Sequence, residues 1–177
     1  MIGSLLTLAL VVAGQAADPL FDPVQGYRLT HYRGVIPAPP DGVARVDTAQ
    51  VAALWRSRRA LLIDVGPAEG GVRDPTTNRW TLSAPHAAIP GAYWFPGAGR
   101  GVLADGIGAW FLRGVARAHR EKPNVPIIVY CLADCWMSWN AALRLHRAGY
   151  RDVRWYADGL DGWREAGLPT ANATPAP

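Results

Sequence analysis

With 177 residues, half of them apolar, the chain has enough material for one domain with a real core plus a modest extension. Its formal charge of +4 comes mostly from arginines scattered along predicted helices (Arg56, Arg58, Arg59; Arg113, Arg117, Arg120; Arg144, Arg147). They form no basic cluster with interleaved aromatics, so nucleic acid is excluded as a partner class; small anions and acidic protein surfaces stay compatible.

Residues 1–17 hold an apolar run from Leu5 to Ala13 followed by Gly14-Gln15-Ala16-Ala17. That is the length and small-residue ending of a secretory signal, although no lysine or arginine precedes the run. The expectation is export to the periplasm. No cysteine follows the cleavage region to take a lipid, and no later segment is long and apolar enough for a membrane span. Residues 18–44, rich in proline and aromatics, predict an arm packed on the main domain, with a short strand at Tyr27 to Tyr32 and an extended piece at Ile36 to Pro40.

Asp47-Thr48-Ala49-Gln50 has capping-box spacing and predicts a helix to about Arg58. Ala60 to Val65 is a buried strand ending at an acid, Asp64, and residues 66–85 form a long polar loop. A turn at Ile89-Pro90-Gly91 feeds a short strand, residues 97–108 read as a glycine-rich flexible connector, and a helix follows from Ile107 to about Arg120. Val125 to Tyr130 is an unbroken apolar strand. The loop Cys131-Leu132-Ala133-Asp134-Cys135-Trp136-Met137 comes next, then a helix from Ser138 to Ala148 stopped by Gly149. Val153 to Tyr156 is a strand, Leu160 to Ala166 a short helix, and 170–177 a tail with no expected structure. Alternating strands and helices predict an α/β domain over 45–169, a mainly parallel sheet flanked by helices with an N-terminal extended arm.

In such sheets ligands sit beyond the carboxyl ends of the strands, where Cys131 and Asp64 both fall. Between strand end and helix start, unpaired N–H groups of Leu132 to Ser138 form an anion-binding concavity, and a cysteine facing it has a stabilised thiolate. Asp64 is expected to bind loop N–H groups and hold the loop's shape. Ser138 is expected to cap the helix with its hydroxyl in reach of the cysteine sulfur. Asp134 marks the exposed loop tip, where its charge would repel thiosulfate.

Four segments resemble the rhodanese family of sulfurtransferase-type domains: Leu61-Leu62-Ile63-Asp64-Val65; Ile89-Pro90-Gly91-Ala92 with Pro96; Ile128-Val129-Tyr130-Cys131 with Ala141-Ala142-Leu143 and Gly149-Tyr150; and Tyr156-Ala157-Asp158-Gly159 with Trp163 and Ala166-Gly167-Leu168-Pro169. More narrowly, the signal-like start, the arm from Gly26-Tyr27-Arg28 to Arg33 and the Cys135-Trp136 pair resemble the PQQ-dependent catabolism-associated CXXCW motif proteins. In this chain three residues separate the cysteines. The resemblance implies a rhodanese-like fold and a Cys131 nucleophile that carries sulfane sulfur as a persulfide, with Cys135 beside it. It also implies a small sulfur-containing donor or thiol acceptor, and a periplasmic quinoprotein dehydrogenase or cytochrome as partner. Three positions depart from the family: Gly66 stands where an arginine is usual, Ala88 where a histidine is frequent (His86 lies two residues earlier), and the loop lacks the usual arginine or lysine.

Two alternatives stay open. Cys131 and Cys135 would serve as a dithiol–disulfide pair, or the domain would bind a partner without catalysis, through Trp136 and Trp139 with Trp94 and Trp110. A loop-type phosphatase is excluded because no arginine lies between Cys131 and Arg144. Haem attachment is excluded because Trp136, not histidine, follows the second cysteine. His119 and His146 lack metal-ligand spacing, so no metal or other cofactor is expected.

Overall fold

The computed structural model describes residues 19–177; the predicted export signal lies outside them. Thirteen elements follow in order: β1 (Ala44–Val46), α1 (Thr48–Arg56), β2 (Leu61–Asp64), β3 (Val72–Arg73), β4 (Trp80–Thr81), β5 (His86–Ala88), β6 (Tyr93–Trp94), α2 (Ile107–Glu121), β7 (Ile127–Tyr130), α3 (Trp136–Arg147), β8 (Val153–Tyr156), α4 (Gly159–Glu165) and β9 (Ala171–Ala173). The main sheet has the order β1-β8-β7-β2-β6, and all four of its pairings are parallel.

Both faces of that sheet are covered, which is why β2 and β7 are continuous apolar runs rather than alternating ones. Alternate side chains serve two cores. Leu61, Ile63, Ile127, Val129, Val153 and Trp155 pack with Phe111 and Val115 of α2 and with Ala141 and Leu145 of α3. Leu62, Ile128, Tyr130 and Tyr156 pack with Val51 of α1 and Trp163 of α4. Cys131 continues the first of these rows, so its side chain joins the α2–α3 core. The capping box of α1 forms as its spacing predicts: Asp47 accepts from the Gln50 N–H at 2.8 Å, and Gln50 accepts in return from the Asp47 N–H at 3.0 Å. Such a cap contributes about 1 kcal/mol.

Three expectations are corrected. The tail over 170–177 is ordered: β9 pairs antiparallel with β5, Ala176 is buried, and its carbonyl accepts from the Trp110 indole at 3.1 Å. Its alanine-rich sequence has no periodicity, and the β5 edge supplies the ladder that orders it. The glycine-rich connector is pinned rather than flexible. Arg144 donates to the Ala98 carbonyl at 2.9 Å, Tyr32 accepts from the Gly101 N–H at 3.0 Å, and a side chain at Gly99 would strike Met137. The arm packs on the domain, but no strand forms at Tyr27 to Tyr32. Buried Asn140 clasps Arg28 instead, accepting from its N–H at 2.9 Å and donating to its carbonyl at 2.8 Å. No helix among the described residues is long and apolar enough to cross a membrane.

Candidate active site

β7, the central strand of the crossover, ends at Tyr130, and the chain turns at once into the cysteine loop. Asp134 occupies the left-handed region at φ 50°, which aspartate tolerates better than most residues. This folds the loop back on itself. Cys135 lands at the N-cap of α3, beside Cys131 rather than away from it. Both are free thiols and both are buried. From below, Gly159 holds the loop in place: its φ of 56° and its contact with the Cys131 carbonyl leave no room for a side chain, and the Leu160 N–H donates to that carbonyl at 2.8 Å.

The two thiols differ sharply in electrostatic setting. The hydrogen bond from Cys131 favours the Cys135 anion most, followed by the N–H of Met137, the charge of Arg33 and the N–H of Ser138; together they overcome burial and lower the Cys135 thiol to about 7. No side chain caps α3 in the ordinary sense, so its first N–H groups are turned toward this sulfur. Cys131 moves the opposite way. The same hydrogen bond holds its proton, and burial and the charges of Cys135 and Asp64 push it well above its usual range. Of the two thiols, Cys135 is therefore the one that gives up its proton first, while Cys131 keeps its own.

Access is also asymmetric. Cys131 lines a cavity of about 200 Å³ together with Asp64, Glu69, His86, Leu160 and Arg164. Cys135 does not line it. The arm crosses over Cys135 instead: Arg33 bridges to it antiparallel, the Trp136 N–H donates to the Tyr32 carbonyl at 2.8 Å, and the Gly34 N–H donates to the Asp134 carbonyl at 2.9 Å.

Several site expectations change as a result. The open cradle of loop N–H groups is largely occupied by the protein's own acceptors. The Ala133 N–H donates to Asp161 at 3.0 Å, that of Trp136 to Tyr32, and those of Met137 and Ser138 face Cys135. Leu132 shares the Cys131 cavity, and its N–H favours the Cys131 anion. Asp134 is exposed and does not line that cavity, so its charge is not placed to repel a donor there. Ser138 does not cap through its hydroxyl; it donates to the Cys135 carbonyl at 2.9 Å and accepts from the Trp155 indole at 2.9 Å. Asp64 does not hold the loop. Its carboxylate accepts from the Gly66 N–H at 2.7 Å and pairs with His86 Nε2 at 2.9 Å, within reach of the Tyr130 hydroxyl. The tryptophans are not a free recognition surface either. Trp94, Trp110 and Trp136 are buried, and the Trp139 indole donates to the Ala38 carbonyl of the arm at 3.0 Å.

Three residues the sequence reading passed over belong to the site: Arg33, Arg164 and His86. The strand period carried a usable signal for His86. Positions 86 and 88 share a face, so a histidine two residues early still points the same way. Its ring stacks on Trp94 at 3.8 Å and fills the space over Gly66, where an added Cβ would sit 3.1 Å from the ring and 3.0 Å from Asp64. That accounts for glycine at 66. Arg164 lies on α4, 33 positions from Cys131, and only the tertiary fold brings the two to one cavity.

A strand-end cysteine at the carboxyl edge of a five-stranded parallel sheet is the arrangement that the four sequence segments imply, and the family comparison decides it. The model of the rhodanese-like domain matches residues 48–166. The chain belongs to the rhodanese-like family. Among solved structures it is similar to the thiosulfate sulfurtransferase of Pseudomonas aeruginosa, at 20% identity and a TM-score of 0.46 over 76% of this chain and 21% of that one. It is also similar to the homodimeric polysulfide-sulfur transferase of Wolinella succinogenes, at 17% identity and a TM-score of 0.46 over 75% and 81%. A third likeness is to the BH2092 protein of Bacillus halodurans, at 19% identity and 0.48 over 72% and 76%. This rhodanese-like chain thus spans about a fifth of the Pseudomonas protein, and at these identities the likeness is one of fold. A comparison with curated proteins finds no match.

Proposed function

We propose that this rhodanese-like protein is a sulfurtransferase in which Cys131 takes up sulfane sulfur and passes it on as a persulfide. The observation that carries the reading is Cys131 at the end of β7 on the wall of the cavity, with Arg164 on the same wall and Cys135 four residues on in the same buried cluster. As the Cys131 sulfur attacks the outer sulfur of a donor, the bond between that sulfur and the donor breaks, and the Cys131 proton goes to the departing fragment. The leaving group departs as a thiol or, from thiosulfate, as hydrogen sulfite. Arg164 supplies from α4 the positive charge that the loop itself lacks; it is the group on a wall that also carries Asp64 and Glu69 able to pair with a small anionic donor.

The reading extends to residues 1–17 as an export signal and to the periplasm as the site of action. It also assigns the chain to the CXXCW group associated with PQQ-dependent alcohol oxidation, with a quinoprotein dehydrogenase or cytochrome as partner. The signal-like start, the arm and the Cys135-Trp136 pair support that assignment. The mature N-terminus of protein recovered from the periplasmic fraction tests the location; a chain retained in the cytoplasm with residue 1 or 2 intact contradicts it. The chemistry is tested by following loss of sulfane sulfur from thiosulfate or an alkyl persulfide. Consumption that disappears in Cys131→Ser supports the proposal, and equal consumption by that variant overturns it.

A further inference from the structure

The fold gives the two cysteines different access. Both are buried, but Cys131 lines the cavity and Cys135 does not, and the arm pairs with the backbone at Asp134, Cys135 and Trp136. A donor entering the cavity therefore meets Cys131 alone. The group best placed to meet Cys135 is Cys131, a free thiol at the other end of the same short turn and in the same buried cluster. The left-handed turn at Asp134 maintains that approach, since it returns the chain to the strand end within four residues.

From this geometry we propose that Cys135 is a resolving cysteine, and that the site reduces persulfides to hydrogen sulfide while closing a Cys131–Cys135 disulfide. The inference rests on the sulfur-loading role of Cys131 given above. Once Cys131 carries the extra sulfur, the Cys135 thiolate attacks the inner sulfur, Cys131 Sγ. The Cys131–Cys135 bond forms, the bond to the outer sulfur breaks, and the outer sulfur leaves as HS⁻. The sulfane sulfur gains two electrons and the two cysteines lose them. A second dithiol, from a partner protein of the thiol-exchange class, returns the pair to its reduced state. Over one cycle a persulfide RSSH and that dithiol yield RSH, hydrogen sulfide and the partner's disulfide, so atoms and electrons balance. The substrate class is accordingly an organic persulfide. An acceptor such as cyanide is not required, because the resolving thiol lies within the same loop.

The test uses the pre-reduced protein, anaerobically, with glutathione persulfide and no other reductant. The wild-type chain should release one sulfide per chain in a single burst and lose the mass of two hydrogens on the peptide that holds both cysteines. Cys135→Ser and Cys135→Ala should give no burst and instead retain one added sulfur on Cys131. Cys131→Ser should do neither. Samples of the wild type quenched early should show the added sulfur before the disulfide, an observation that needs no variant. A wild type that keeps the added sulfur stably, or a Cys135 variant that releases as much sulfide as the wild type, overturns the resolving role and leaves sulfur loading intact. Failure of every form to consume the persulfide overturns both.

Discussion

Replacing Cys131 with alanine removes the proton that most stabilises the Cys135 thiolate. In the intact pair the Cys135 thiol falls from its ordinary 9.0 to about 7, roughly two units, or about 3 kcal/mol of preference for the anion. A hydrogen bond to a charged group contributes about 1.5–3 kcal/mol, so the variant should titrate about one to two units higher. Cys131→Ser keeps a donor and should recover part of the shift. Ultraviolet absorbance of the thiolate against pH measures this directly. If Cys131→Ala still titrated near 7, the α3 N-terminus and Arg33 would be carrying the shift, and that role of the Cys131 proton would be refuted. The same shift couples to folding. Because Cys135 is depressed in the folded chain, its contribution to stability is fully present above the unfolded value of 9.0 and is lost as pH falls through about 7. Cys131 acts in the opposite sense: its raised value costs stability once pH passes the unfolded thiol's range. Stability should therefore rise between about pH 7 and 9 and level off or fall beyond it.

Arg164→Ala should raise KM for thiosulfate about tenfold, equivalent to about 1.4 kcal/mol of binding, with little change in kcat; an unchanged KM would remove Arg164 from the donor site. Deleting the residues after Thr170 strips β9 from β5 and leaves the Trp110 indole without its acceptor. The cost should be about 2–4 kcal/mol in urea unfolding, and a change below about 0.5 kcal/mol would contradict the tail's structural role. Gly66→Ala should destabilise by about 1–2 kcal/mol through contact with His86 and Asp64. His86→Ala combined with it should restore part of the loss, and strict additivity of the two would show that the contact is not the cause.

The parallel sheet was legible because β2 and β7 are apolar on both faces, and the capping box at Asp47 marked α1 to within a residue at its start. The closeness of Cys131 and Cys135 followed from their spacing. Their different settings did not, because they depend on an arm about a hundred residues upstream that pairs along Cys135, and on a cavity that Cys131 lines and Cys135 does not. Asp64 was visible as a strand-end acid, but its partner His86 sits on β5, a three-residue strand that depends on pairing with the tail. Such short edge pairings carry almost no local signal, since neither strand has length or alternation of its own. Arg164 was hidden for a similar reason: on a seven-residue helix it resembles any solvated arginine until the fold places it on the cavity wall.

The most direct test of sulfur handling at Cys131 is peptide mass mapping of Cys135→Ser after exposure to glutathione persulfide. The account predicts one added sulfur on Cys131, removable by cyanide. An unmodified Cys131 in a folded variant, with the donor unconsumed, would contradict it.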